Sequence, residues 1–326
     1  MYEIKDILNT IICGDALQEL KKIPDESIDC CVTSPPYWNL RDYQIDGQLG
    51  LESTIEEYIE KLCDIFDEVK RVLKKEGTCF VNLGDTYAGN KDGKTDYKVS
   101  DYVKSECNKI KKRTGNYQEK CLLMIPERIA FEMINRTWIL RNKIIWNKKN
   151  SMPSSVTDRL SNKYEIVYFF TKNTKYFFNL DAIRIPFETE EKRPDGIVRS
   201  REYGYNTKQG TKRREEEEES KKFSKRRPPQ NEGEYERNPK GKNPGDVWTL
   251  TLQPHKEKHI AMFPEKLISP MIRAGCPEKG IVLDPFMGSG TTALVARKLS
   301  RNYIGIELNL SYIEMANKRL AQQVLF

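Results

Sequence analysis

The stretch that decides the fold is Ile281-Val282-Leu283-Asp284-Pro285-Phe286-Met287-Gly288-Ser289-Gly290-Thr291-Thr292. Its first four residues are typical of a buried strand, and a glycine-rich turn then leads into a predicted helix. A strand, turn and helix of this kind can cradle a nucleotide or nucleoside at the carboxyl end of a parallel strand. Gly288 and Gly290 would let the backbone approach a ligand where a Cβ would intrude. For a Gly-x-Gly pair considered alone, a purely structural turn is the alternative.

The next strand strengthens the nucleoside interpretation. Residues 303–307 are predicted to form a strand that ends in Glu307, 17 residues after Gly290. A carboxylate in that position can accept hydrogen bonds from both hydroxyls of a ribose. The turn lacks the third glycine of a dinucleotide fingerprint and the Gly-Lys-Ser/Thr of a P-loop, which disfavours NAD and ATP.

A second polar turn, Thr33-Ser34-Pro35-Pro36-Tyr37, follows an earlier apolar strand. The two prolines have no N–H donors, so the backbone presents carbonyl oxygens beside the Ser34 hydroxyl and the Tyr37 ring. These groups fit the exocyclic amine of a flat base, with its hydrogens directed at Ser34 Oγ and the Pro35 carbonyl. A Pro-Pro turn that merely ends a strand is the alternative for this motif alone.

Segments of strand and helix length alternate along the chain, which predicts an α/β fold with a mostly parallel sheet. The longest helix is predicted to begin after Ser53, which forms a capping box with Glu56, and to end at Gly77. The predicted strands are 10–13, 28–33, 78–83, 138–146, 164–171, 281–284 and 303–307. The other predicted helices are 126–135, 264–274, 291–299 and one from Ser311.

Composition limits the class of protein. The 326 residues, 38% of them hydrophobic, can bury one large core or two modest ones. No apolar run approaches the roughly 18 residues of a membrane span, and residues 1–9 do not resemble a signal peptide, so a cytoplasmic protein without a membrane partner is expected. The eight cysteines include no CxxC pair, and His255 and His259 do not match a zincin motif, so no metal site is predicted.

The net charge of +7 is concentrated in residues 91–120 and 172–246, each with four more basic than acidic side chains. The second segment contains a run of five glutamates from Glu215. Its clustered basic residues include Arg213, Arg214, Lys225, Arg226 and Arg227. Basic clusters interleaved with aromatic residues suit phosphate binding, whereas a solvated insertion is the other interpretation.

Together the two motifs resemble those of a known family. Thr33-Ser34-Pro35-Pro36-Tyr37 resembles the catalytic motif of the amino-DNA methyltransferases, which modify cytosine N4 or adenine N6. Asp284-Pro285-Phe286-x-Gly288-x-Gly290 resembles their S-adenosylmethionine loop. The catalytic motif precedes the cofactor motif, as in the permuted beta group. The resemblance covers roughly residues 11–87, 125–172 and 255–320, and the two basic segments fall largely outside it.

The resemblance implies a Rossmann-like methyltransferase fold: a doubly wound, mostly parallel sheet with an inserted target-recognition region. It implies a catalytic half at 1–174 with an insertion at about 88–122, a target-recognition region at 175–250, and a cofactor-binding half at 251–326. The implied catalytic residues are Ser34, Pro35, Pro36 and Tyr37. The implied contacts with S-adenosylmethionine are Asp15, Asp284, Phe286, Gly288, Gly290, Thr291 and Glu307.

The resemblance also implies the substrate. The implied partner is double-stranded DNA, and the basic residues from Arg213 to Arg227 are expected to contact it. In the family, a serine before Pro-Pro-Tyr is associated mostly with cytosine N4, so Ser34 favours that base, with adenine N6 as the alternative. A restriction-modification system or another phage or host modification setting is expected, so a cognate restriction endonuclease is a further candidate partner, and a monomer or homodimer is expected. An RNA or protein methyltransferase, and a DNA-binding module without catalysis, are more distant alternatives.

Overall fold

The computed structural model describes residues 1–40, 42–89, 117–151, 156–187, 238–251 and 263–322. The chain divides into two compact units. The larger unit comprises Met1–Ile183 and Pro244–Phe326, and the smaller comprises Arg184–Asn243. In the described part of the smaller unit, Ile185 and Lys242 form an antiparallel bridge.

The larger unit is built on a sheet of eight strands within the described ranges. The strands are β1 (Thr10–Cys13), β2 (Ile28–Thr33), β3 (Leu73–Leu83), β4 (Ile139–Lys148), β5 (Tyr164–Thr171), β6 (Val247–Leu250), β7 (Ile281–Asp284) and β8 (Asn302–Glu307). The helices are α1 (Ile4–Ile7), α2 (Ala16–Leu20), α3 (Ile55–Val72), α4 (Ile125–Asn135), α5 (Glu265–Gly275), α6 (Thr291–Lys298) and α7 (Leu310–Gln322). A 3₁₀ turn lies at Leu180–Ile183.

The strand order is β1-β8-β7-β2-β3-β5-β4-β6. Only β5 runs antiparallel to its neighbours β3 and β4, and the other five strand pairs of the described sheet are parallel. The mostly parallel sheet predicted from the sequence is therefore confirmed. Strand β2, from the beginning of the chain, pairs with β7 from its end, so their carboxyl ends lie side by side.

Apolar side chains cover both faces of the sheet. Along β2, Cys31 joins a cluster that includes Phe66 of α3, whereas its neighbours Cys30 and Val32 join a second cluster with Leu267 of α5. Alternate residues of a strand point to opposite faces, so helices pack on each side, as in a doubly wound sheet. Among the helices in the described ranges, none combines the length and apolar character needed to cross a bilayer.

Helix α3 differs from its prediction at both ends. Its N-cap is Thr54, whose side chain accepts from the Glu57 amide at 3.2 Å, so the capping box lies one residue after the predicted pair. The helix ends at Val72 instead of Gly77, because Leu73 is buried and pairs with Ile28 of β2. Sheet pairing and burial override the helix propensity of the following lysines and glutamate. Strand β6, which pairs with β4, was not predicted.

Candidate active site

The two polar turns meet at the carboxyl edge of the sheet, where β2 and β7 are neighbours. Thr33, the last residue of β2, donates its hydroxyl to Asp284 Oδ1 at 2.6 Å. Thr292, in the first turn of α6, donates to Asp284 Oδ2 at 2.6 Å. One carboxylate therefore joins the Ser-Pro-Pro-Tyr turn to the glycine turn.

Asp284 is fully buried, and the Phe286 amide also donates to its Oδ1 at 3.0 Å. Burial raises the pKa of this carboxyl to about 6, because the two threonine hydroxyls and the amide only partly compensate for lost solvation. Its contact with the cofactor stays a prediction. The contacts that are formed hold the two turns together.

The two glycines of the turn have different surroundings. Gly288 has φ +52°, and a Cβ there would have only the Phe286 carbonyl near it, at 4.0 Å, so its backbone faces open space. Gly290 has φ +81°, and a Cβ there would lie 2.7 Å from Ala316 Cβ. Gly290 therefore allows α7 to pack closely against the turn, a structural role that the sequence did not predict. Arg319 of α7 adds a hydrogen bond to the Ser289 carbonyl at 2.6 Å.

Glu307 ends β8, directly beside the glycine turn. Its Oε2 accepts from the Gly288 amide at 2.7 Å and its Oε1 accepts from the Asn309 amide at 2.8 Å. Burial raises its pKa. A carboxylate has about four acceptor sites, so with these amides bound Glu307 can still accept from a ribose hydroxyl. The open backbone at Gly288 and this acceptor together fit a nucleoside.

The remaining predicted cofactor residues lie around the same turn. Phe286 is partly buried beside Asp284, and Thr291 is buried in the first turn of α6. Asp15 is exposed at the end of β1, which pairs with β8, and its Oδ1 caps α2 by accepting from the Gln18 amide at 3.0 Å. Asp15 thus has a structural role in capping α2, and its contact with the cofactor stays a prediction.

Contacts within the catalytic turn leave particular acceptors available. The Pro36 carbonyl accepts from the Tyr58 hydroxyl at 2.7 Å, and the Tyr37 carbonyl accepts from the Leu40 amide at 3.4 Å. No described residue donates to the Pro35 carbonyl. Ser34 is only partly buried. Of the two acceptors assigned from the sequence, the Pro35 carbonyl therefore receives no hydrogen bond from a described residue, and Ser34 Oγ keeps one lone pair beyond its contact with Asn82.

The Tyr37 hydroxyl lies in a polar network whose other members were not predicted as site residues. It donates to Glu165 Oε2 at 3.0 Å and accepts from Asn82 Nδ2 at 2.9 Å. The Asn82 amide also lies 3.3 Å from Ser34 Oγ, and Lys148 pairs with Glu165. Burial and the neighbouring carboxylate raise the pKa of Tyr37, which keeps the phenol protonated. The available sequence signal was an asparagine within the run Cys79–Leu83 of β3, whose other residues are apolar.

The predicted DNA-contacting residues Arg213, Arg214, Lys225, Arg226 and Arg227 lie outside the described residues, as do His255 and His259. Within the described ranges, no group of three or more His, Cys, Asp or Glu side chains has the geometry to hold a metal ion.

Comparison with known proteins identifies the family. The profile of the DNA methylase family matches residues 28–318. The chain belongs to this family. The methylase is 36% identical over 314 residues to the type II methyltransferase M.Cfr9I of Citrobacter freundii, covering 95% of this chain and 87% of the relative. It is 34% identical over 314 residues to the type II methyltransferase M.SmaI of Serratia marcescens, and the match covers 96% of this chain and 91% of that relative.

Solved structures agree with the fold of the methylase. The PvuII DNA methyltransferase, titled cytosine-N4-specific, matches with a TM-score of 0.59 at 19% identity, covering 96% of this chain and 88% of that one. A putative DNA modification methylase from Thermus thermophilus, solved with S-adenosyl-L-methionine, matches with a TM-score of 0.57 at 21% identity. This match covers 97% of this chain and 94% of that one. The predicted family and the Rossmann-like methyltransferase fold are confirmed. The family depends on S-adenosylmethionine, so the predicted cofactor is confirmed at that level.

Proposed function

We propose that this DNA methylase transfers a methyl group from S-adenosylmethionine to the N4 amine of cytosine in double-stranded DNA, as the modifying enzyme of a type II restriction-modification system. The observation that carries the proposal is the position of the acceptor pair, Ser34 Oγ and the Pro35 carbonyl, at the same sheet edge as Gly288 and Glu307. An amine acceptor site and a nucleoside site then share one crevice.

The cofactor would lie along the glycine turn. Glu307 would accept from its ribose hydroxyls, and the backbone at Gly288 would pass close to it without a side chain in the way. Phe286, Thr291 and Asp15 are the other residues of this edge that would surround it. S-adenosylmethionine supplies a sulfonium methyl group that is already activated toward a nucleophile. The remaining requirement on the protein is to orient the target amine.

The catalytic turn would orient that amine. The target base must leave the duplex, and Tyr37 would stack on it in the pocket. Ser34 Oγ and the Pro35 carbonyl would accept the two amine hydrogens, directing the nitrogen lone pair toward the methyl group. Asn82 uses one lone pair of Ser34 Oγ and leaves the other for the amine. The carboxylates of Asp284 and Glu165 would stabilise positive charge developing on the nitrogen.

Two features support cytosine N4 over adenine N6. The motif begins with serine, the residue associated mostly with cytosine N4 in the family. The PvuII enzyme, which shares the fold, is titled cytosine-N4-specific. The basic residues from Arg213 to Arg227, within the proposed target-recognition region 175–250, would bind the DNA backbone.

The test is to sequence the modified bases in DNA from an expressing host, which gives both the recognition site and the base. Nucleoside mass spectrometry of DNA methylated by the purified protein should then show N4-methylcytosine. Detection of N6-methyladenine alone would contradict the choice of cytosine N4, and the assignment as a DNA methylase would still stand. Ser34→Ala is the matched variant, and it should lower the turnover rate more than the cofactor affinity, because it removes an amine acceptor and leaves the glycine turn intact.

A further inference from the structure

Leu160 is an apolar side chain that is 90% exposed, in a loop between β4 and β5. Isolated exposed leucines are common on protein surfaces, so exposure alone indicates nothing. The features that distinguish Leu160 are the contacts made by the residues on either side of it and its proximity in sequence to Glu165, which contacts the catalytic turn.

The loop is held on both sides of Leu160 by one aromatic residue. The Arg159 guanidinium lies over the Tyr87 ring, 3.9 Å from its centroid. The hydroxyl of the same tyrosine donates to Asn162 Oδ1 at 3.2 Å. The Lys148 amide also donates to the Lys163 carbonyl at 2.8 Å. The residues on either side of Leu160 thus already make contacts with Tyr87, which lowers the entropy cost of using the leucine in binding.

The loop lies at the edge of the sheet that carries the catalytic turn. Leu160 is five residues from Glu165, whose carboxylate contacts the Tyr37 hydroxyl. At about 3.3–3.6 Å per residue, the two Cα atoms are at most about 18 Å apart. Lys149 and Lys163 are exposed at the same edge, and both can approach phosphates. An exposed leucine beside exposed lysines matches a partner with an anionic backbone and an apolar, stacked interior.

We propose that Leu160 inserts into the DNA duplex and fills the space left by the target base when it is extruded. The proposal rests on the proposed DNA methylation. Extrusion breaks a base pair and its stacking, and an inserted apolar side chain restores part of the stacking and prevents the base from returning. Leu160 would therefore act on extrusion of the base, while the amine pocket acts on methyl transfer.

Single-turnover methylation of two duplexes containing the recognition site tests this. One duplex is fully paired, and the other lacks the base opposite the target, so that its target base is already unpaired. Leu160→Ala should slow methylation of the paired duplex by about 10-fold or more, and that of the second by less than about 2-fold, because an unpaired base costs less to extrude. Leu160→Met should behave like the wild type, because methionine is also a wedge-forming side chain.

The matched control is Phe131→Ala on α4, which also truncates an exposed apolar side chain, 68% exposed, and should leave both rates unchanged. A paired-duplex rate that is unaltered by Leu160→Ala overturns the proposal. Equal decreases in the methylation rates of the two duplexes also overturn the proposal, because they indicate that Leu160 makes a contact unrelated to extrusion of the base. Failure of the proposed function gives a different result: the wild type itself would methylate neither duplex.

Discussion

Thr33→Val removes the hydroxyl that donates to Asp284 at 2.6 Å and keeps the shape of the side chain. Thr33 is 1% exposed and Asp284 is fully buried, so water cannot replace the lost donor. A hydrogen bond to a charged acceptor contributes about 1.5–3 kcal/mol, so the free energy of unfolding should fall by about that amount when the carboxyl is ionised.

The pH dependence of this loss follows from the pKa of Asp284. Burial raises it to about 6, whereas an unfolded aspartate has a pKa of about 3.9. The native state therefore binds more protons between these values, and this carboxyl lowers stability as the pH rises from about 4 to about 6. The Thr33 hydroxyl stabilises the ionised form. Thr33→Val should cost most at about pH 8 and only about 0.5–1.5 kcal/mol at about pH 5, where the carboxyl is neutral.

Urea unfolding of the wild type and of Thr33→Val at about pH 5 and about pH 8 measures how much unfolding free energy the substitution removes at each pH. Thr292→Val is the matched control, because its hydroxyl donates to the other oxygen of the same carboxylate at 2.6 Å and should show the same pH trend. If Thr33→Val lowered the unfolding free energy equally at the two pH values, or by less than about 0.5 kcal/mol at about pH 8, the inference that an ionised Asp284 joins the two turns would be refuted.

The other predictions concern ligands and turnover. Glu307→Gln should weaken S-adenosylmethionine binding by about 10- to 100-fold in calorimetry, because it removes the charge of the ribose acceptor, and unchanged affinity would contradict that role. Glu165→Gln should lower the turnover rate and leave the cofactor affinity within about 2-fold, because Glu165 contacts Tyr37 and not the glycine turn; rescue of the rate by Glu165→Asp would indicate that the charge is required. Charge reversal at Arg226 and Arg227 should raise the dissociation constant for DNA and reduce the log-log salt slope by about 0.9 per lost phosphate contact, whereas an unaltered slope would assign them to a solvated loop.

The parts of the fold that could be predicted are those whose signal is local. Strand β5 has the predicted bounds, Tyr164–Thr171, because a run of β-branched and aromatic residues is sufficient to identify it. The end of α3 could not be located, because Leu73 is extended only through pairing with Ile28, 45 positions earlier. Strand β6 was not predicted for a related reason. It has only four residues, so its local signal is short, and it is extended through pairing with β4, which is distant in the chain.

The site residues likewise fall into those with a local sequence signal and those without one. The Ser-Pro-Pro-Tyr and glycine turns could be predicted because each carries its chemistry within a few consecutive residues. The network around Tyr37 could not, because its members are 45 and 128 positions from Tyr37 and are brought together by β3 and β5. Gly290 shows the converse limit. The assignment of Gly290 to ligand approach stays a prediction, and its close contact with Ala316 could not be predicted because Ala316 is on a helix that follows later in the chain.

A serine in the catalytic turn has a consequence for the charge of the site. In the proposed reaction Ser34 would be a neutral acceptor while the amine becomes positive as its nitrogen takes up the methyl group, so negative charge would have to come from nearby side chains. Two carboxylates outside the motif would supply it: Asp284 through Thr33, the neighbour of Ser34, and Glu165 through Asn82, which also contacts Ser34. Because Asp284 has a pKa of about 6, it is mostly ionised above that pH. Methyl transfer should therefore accelerate as the pH rises through about 6, and Asp284→Asn should flatten that part of the profile.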